Sequence, residues 1–159
     1  MEYLSQVYLL SEKFVEDYPI KDYPELMYKQ GRPYTCLLID SHEGYFICVP
    51  FRSNITHKNA FLFRNSDRSK STKSGLDYSK IVIINNIEYI DLTAVAIVDR
   101  DEYNEMSINL QQIVNEAVTY VDQYIKHVTH KSPLHPREYL RLYGFTTLPY
   151  FHDILGISE

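Results

Sequence analysis

From Leu110 onward the apolar residues recur at spacings of three and four: Leu110, Ile113, Val114, Ala117, Val118, Val121, Tyr124, Ile125 and Val128. That period matches one face of an α-helix, so the spacing predicts a long amphipathic helix over 103–128, with Gln111, Gln112, Asn115, Glu116, Asp122 and Lys126 outward. The stripe is a packing face, not a cofactor box. A helix with one apolar face must bury it against a second layer, and the preceding hundred residues read as that layer.

The opening "MEYLSQVYLL" predicts a strand over 1–10, and Ser11 stands as the N-cap of a short helix with Glu12 in its first turn. Residues 19–33 carry Pro19, Pro24, Gly31 and Pro33, which predicts a connecting loop bearing Tyr23, Tyr28, Lys29 and Arg32. "YTCLLID" (34–40) and "YFICVPF" (45–51), joined by Ser41-His42-Glu43-Gly44, read as a β-hairpin. Strands are further expected over 80–84, after a tight Asn85-Asn86 turn over 87–92, and over 94–99, about six in all. Pro136 and Gly144 bracket a second helix over 135–144, and a last short helix starts from Pro149. Strands followed by helices make an α+β fold, and 159 residues with 45% hydrophobic composition suit a single domain over 1–159.

Apolar runs such as "IVII" at 81–84 fall far short of the roughly 20 residues of a membrane span. The N-terminal "MEYLSQVYLLSEKF" has acidic residues and no cleavage site, so the expectation is a cytoplasmic protein without a signal peptide. Cys36 and Cys48 lie in strand-like segments without metal-ligand spacing and are expected to be buried small hydrophobes, with no metal site.

The net charge of −5 is unevenly spread. Residues 52–80 hold seven basic side chains (Arg52, Lys58, Arg64, Arg68, Lys70, Lys73, Lys80) against Asp67 and Asp77, whereas 81–125 hold one basic and eight acidic. A local basic stripe on an acidic body is the footprint of polyanion binding at one place; a solvated flexible loop is the alternative. The stretch between the two strand regions, 52–79, reads as a long polar loop, and a connection of that length in a compact domain is functional or disordered.

Arg52, Ser53, His57 and Lys58 crowd into seven positions. A guanidinium, a hydroxyl, an imidazole and an ammonium are what metal-free RNA cleavage requires: charge for the phosphorane, a group to position phosphate or 2′-hydroxyl, and proton carriers. Ser53-Asn54 could equally be a turn, and His57 a plain loop residue. His127, His130 and His135 read as a solvated helix end, with secondary RNA contact as the alternative. Tyr28, Tyr34 and Tyr78 could stack on unpaired bases. No G-x-x-x-x-G-K-[ST], G-x-G-x-x-G or G-x-S-x-G is present, so no nucleotide cofactor is expected.

Three segments, "YKQGRPY" (28–34), "VPFRS" (49–53) and "GLDYSKIVII" (75–84), resemble the type III toxin-antitoxin endoribonucleases of the ToxN/AbiQ family, nearest to its CptN branch. The resemblance implies a compact, strongly bent antiparallel sheet with helices, similar to the MazF/Kid toxins. It implies metal-independent cleavage of cellular or phage RNA leaving a 2′,3′-cyclic phosphate, with inhibition by a small repetitive antitoxin RNA in a closed hetero-oligomer. Growth arrest, used in abortive phage infection or plasmid retention, would follow. By position it places the active-site hydroxyl on Ser53, the basic residue of the preceding loop on Arg32 and its tyrosine on Tyr28. Arg52 stands where the best-known relatives have threonine, and His57 and Lys58 stand among the lysines that follow in those relatives. The expected catalytic set is thus Ser53, Arg52, Arg32, His57, Lys58 and Tyr28. The expected RNA-binding set is Lys29, Asn54, Arg64, Arg68, Lys70, Lys73, Tyr78 and Lys80. A non-catalytic RNA-binding module, or a toxin-like fold that binds only protein, is the rival reading.

Overall fold

The computed structural model describes residues 6–28, 34–94 and 96–158. Strand β1 (Gln6–Leu10) is followed by helix α1 (Glu12–Asp17), whose N-cap Ser11 accepts the Phe14 N–H as expected from its hydroxyl. The expected hairpin is present as β2 (Thr35–Asp40) and β3 (Phe46–Arg52), paired antiparallel from Asp40↔Phe46 to Cys36↔Pro50. Gly44 takes φ +90° in the connecting turn, where a side chain would strain the backbone.

Between residues 52 and 80 the structure departs from the expected loop. The segment forms β4 (Ala60–Leu62), helix α2 (Asp67–Thr72), β5 (Gly75–Asp77) and a 3-10 turn at Tyr78–Lys80. Strand β6 (Val82–Ile84) follows. The expected strand over 87–92 is instead a 3-10 turn, Ile87–Tyr89, leading into the two-residue β7 (Ile90–Asp91). No strand forms among the described residues of 94–99, and Ile97 is almost fully exposed.

Among the described residues the sheet has seven strands, in the order β4-β5-β3-β2-β1-β7, with β6 also on β3. One edge of β3 is therefore shared: Phe46–Cys48 pair with β6, and Phe51 and Arg52 pair with β5. The pairings of these strands are antiparallel, and with the helices they make the fold α+β.

The long helix is two helices, α3 (Arg100–Ile108) and α4 (Leu110–Val128), with Asn109 between them in a non-helical conformation. Asp99 caps α3 by accepting from the Asp101 and Glu102 N–H groups. The α4 stripe does what its period requires: Ile113, Val114, Ala117, Tyr120, Val121 and Tyr124 are buried, joining β2, β3 and β6 in one core. Helix α5 (Pro136–Tyr143) is capped by His135, whose ring accepts the Arg137 N–H, and ends at Gly144. His127 accepts the Leu134 N–H and stacks on Tyr139, so two of the three helix-end histidines brace the α4–α5 turn. The chain closes with a 3-10 turn at Leu148–Phe151 and a short α6 (His152–Leu155). Cys36 and Cys48 are free and buried, and burial pushes the Cys48 thiol up. Among the described residues no helix is long and apolar enough to cross a membrane.

Because Ile113 is fully buried in the α4 face, Ile113→Ala is expected to destabilise the protein by about 2–5 kcal/mol, read as a lower urea midpoint at unchanged slope.

Candidate active site at the end of strand β3

The last residue of β3, Arg52, pairs with Gly75, and this register sets Asp77 two residues further along β5. Gly75 is needed for close approach: a Cβ there would lie 2.4 Å from the Phe61 carbonyl oxygen of β4. Asp77 is almost fully buried and collects four contacts. The Ser79 hydroxyl donates at 2.6 Å and the Ser79 N–H at 3.0 Å, His57 Nε2 stands at 3.3 Å, and Arg52 Nε stands at 3.5 Å. Burial raises the carboxyl's pKa, but the bonds from His57 and Ser79 and the positive charge of Arg52 outweigh it and hold the group below the usual carboxylate range. Asp77 is therefore an ionised anchor that orients a guanidinium and an imidazole.

His57 is held from both sides. Its Nδ1 accepts the Asn59 N–H at 3.1 Å, which fixes the neutral tautomer with the proton on Nε2, directed at Asp77. Ser79 also lies 3.3 Å from Nε2. A hydrolase triad needs its serine and its carboxylate on opposite ring nitrogens, and here both face the same one. Ser79 is thus a support for Asp77.

Tyr34 closes the inner side of the cluster. Its hydroxyl is buried and lies close enough to feel both Arg52 and Asp77. Burial pushes the phenol well up, against the pull of the Arg52 guanidinium. The buried ring is not a stacking platform for bases.

Ser53 follows Arg52 directly, is half-buried, and makes no hydrogen bond to another described residue. Asn54 is exposed at φ +59°, in the left-handed region that Asn tolerates, and its N–H donates to the Thr72 carbonyl. Lys58 is exposed without an ion pair among the described residues. Lys29 and Arg32, expected in the binding and catalytic sets, lie outside the described residues.

Three expected site residues belong to the packing instead. Tyr28 is buried and its hydroxyl donates to the Tyr18 carbonyl. Tyr78 is buried and donates to Glu116 at 2.7 Å. Lys80 is buried, with Nζ donating at 2.8 Å to both Glu25 and the Phe145 carbonyl. Apolar flanks hid this: in "GLDYSKIVII" both side chains precede a strand buried on both faces.

The basic segment is fastened to the acidic one. Glu105 accepts the main-chain N–H groups of Arg64 and Asn65 at 3.0 Å, and Glu102 accepts from Ser66 at 2.9 Å and Ser74 at 2.6 Å, with Arg68 at 3.6 Å. Both carboxylates are buried. Arg64, Lys70 and Lys73 stay exposed and form no ion pair with a described residue.

Asp77, Ser79 and the two glutamates were the residues that motif reasoning missed. Asp77 had one signal, the D-x-S spacing in which a carboxylate bonds the N–H and hydroxyl two residues on. Among the described residues no three of His, Cys, Asp and Glu gather closely enough to hold a metal ion. No protein-family model, curated protein or solved structure matches the chain. The likeness to the ToxN/AbiQ toxins therefore stands on the three quoted segments.

The depressed Asp77 pKa sets the sign of a pH effect. Its contribution to stability is full above the ordinary carboxylate pKa of about 4 and is lost as pH falls through the lower folded value. Asp77→Asn should thus cost about 2 kcal/mol at pH 7, with the gap to wild type closing at an acid pH below the ordinary carboxylate range. Urea unfolding at both pH values checks this, and an equal gap at both would refute it.

Glu105→Ala leaves two main-chain donors without their acceptor, at a cost of about 1.5–3 kcal/mol. The strain falls on the segment carrying Arg64, Arg68, Lys70 and Lys73, so native-state trypsin cleavage there should accelerate at least tenfold.

Proposed function

We propose that the chain is a metal-independent endoribonuclease toxin of the ToxN/AbiQ type, with a bent MazF/Kid-like sheet, neutralised by a small repetitive antitoxin RNA. The observation that carries this reading is the convergence of Arg52 and His57 on buried Asp77, immediately beside Ser53. In-line attack of a 2′-oxygen on phosphorus forms one P–O bond and breaks the bond to the 5′-oxygen. It requires a proton acceptor for the 2′-hydroxyl, a donor for the leaving oxygen and positive charge at the phosphorane.

Neutral His57 is the acceptor in this scheme, and its Nδ1 becomes available when the substrate hydroxyl replaces the Asn59 N–H. Lys58, exposed and cationic, is the proton donor to the 5′-oxygen. Arg52, oriented by Asp77, meets the non-bridging oxygens, and Ser53 adds a hydrogen bond to the same group. Arg64, Lys70 and Lys73 grip the backbone of substrate or antitoxin RNA. The engagement of both His57 nitrogens supports a second reading, a module that binds RNA without cutting it.

Purified protein is incubated with total RNA in EDTA and the new 3′ ends are mapped. Cyclic-phosphate ends that fall by about 10²–10³ in Arg52→Ala and in Ser53→Ala are expected. RNA that is bound but left intact by the wild type would sink the catalytic reading and leave the binding module.

A further inference from the structure

Among the described residues strand β4 ends the sheet and pairs only with β5. The Asn59 carbonyl accepts the Tyr78 N–H and the Phe63 N–H donates to the Ser74 carbonyl, so the odd-numbered residues face β5. By the alternation of an antiparallel ladder, the main-chain N–H and C=O groups of Ala60 and Leu62 point to the other side. Helix α4 runs past that side and lines an open channel in two halves of about 360 Å³ each, which meet at Ala60 and Glu116. Each half has the size of a small-ligand cleft.

The chemistry of the channel is divided. Its helix wall carries the neutral amides Gln112, Asn115 and Gln123 beside the carboxylates Glu105 and Glu116, while the cations sit in separate halves, Lys58 in one and Arg64 in the other. Asparagine and glutamine offer a donor and an acceptor side by side, which is what a base edge needs. Glu116, shared by both halves, already accepts from Tyr78 and Gln112; its charge repels a phosphate but accepts further bonds from exocyclic amino groups. A peptide strand would find only two outward-facing residues on this edge, too few for a ladder. The channel also adjoins the candidate site, because Asn59 lines it and gives its N–H to His57.

We propose that the channel between β4 and α4 binds the unpaired bases of single-stranded RNA next to the cleaved phosphate, reading them through the Ala60 and Leu62 main chain and the Asn115 and Gln123 amides. This rests on the RNA reading of the chain given above. Arg64 contacts a flanking phosphate and carries no sequence preference.

The test uses labelled 2′-O-methyl hexanucleotides of A, C, G and U, which lack the attacking hydroxyl and stay intact, with binding followed by fluorescence anisotropy across a salt series. Asn115→Ala/Gln123→Ala, both on exposed positions, should reduce the wild-type preference among the four to within about twofold and leave the salt slope unchanged. Arg64→Ala should weaken all four alike and lower the log–log slope by about 0.7. An unchanged preference in the double variant, with RNA still bound, would overturn the channel assignment alone. Failure of any hexanucleotide to bind the wild type would overturn both readings. A dimer seen by sedimentation that the double variant loses while keeping its RNA preference would give the edge to a second copy of the chain instead.

Discussion

The site depends on one strand being shared. Along a single edge of β3, Phe46–Cys48 are taken by β6 and Phe51–Arg52 by β5, so the strand is buried at its start and opens onto polar chemistry at its end. The change of partner makes Arg52 the first side chain outside the core. Its register against Gly75 then delivers Asp77 as counter-charge, and Gly75 admits the Phe61 carbonyl of β4 that completes the three-strand corner. Any side chain at position 75 would push β4 away from β5 toward α4 and narrow the channel. Core packing, ion pair and channel width are thus consequences of one register.

The second constraint is electrostatic and works against a simple charge count. Of the seven cations in residues 52–80, Arg52, Arg68 and Lys80 are paired with Asp77, Glu102 and Glu25. Glu102 and Glu105 come from the acidic helix α3 and hold the segment by its main chain and its serines. A buried carboxylate that accepts several N–H and O–H bonds offsets its own desolvation, and a salt bridge alone would not. What remains for a polyanion is Lys58, Arg64, Lys70 and Lys73 among the described residues, exposed and unpaired. Segregation of charge along the sequence here reflects internal docking as much as recognition.

Local pattern was legible wherever it matched a nearest-neighbour rule. The α4 stripe, the β2–β3 hairpin, the Ser11 cap and the Pro136–Gly144 limits all follow from residues within a turn or two of one another. What escaped was stabilised from a distance. Strands β4 and β5 are three residues each, too short for alternation to register, and α2 is held by Ser66 donating to Glu102, 36 positions away. The α3–α4 break escaped because Asn109 donates its side-chain amide to the Glu105 carbonyl, a bond that competes with continuing the helix. At the site, Ser53, Arg52 and His57 were legible as residue types, but which groups orient them was not, since Asp77 reaches them only through strand pairing.

Asn59 joins these parts. Its N–H holds His57 Nδ1, its carbonyl pairs β4 with Tyr78, and its side-chain amide donates to the Arg141 and Leu142 carbonyls at the end of α5. Those carbonyls are among the last of a helix, which have no partner within it, and Tyr120 donates to the Leu142 carbonyl as well. The arrangement separates two motions that a loop would normally combine. A ligand that draws His57 off the Asn59 N–H removes one hydrogen bond, while the amide and the ladder keep the residue in place. The imidazole can therefore change partner against a backbone that stays put, and the cleavage proposed above would draw on that preorganisation.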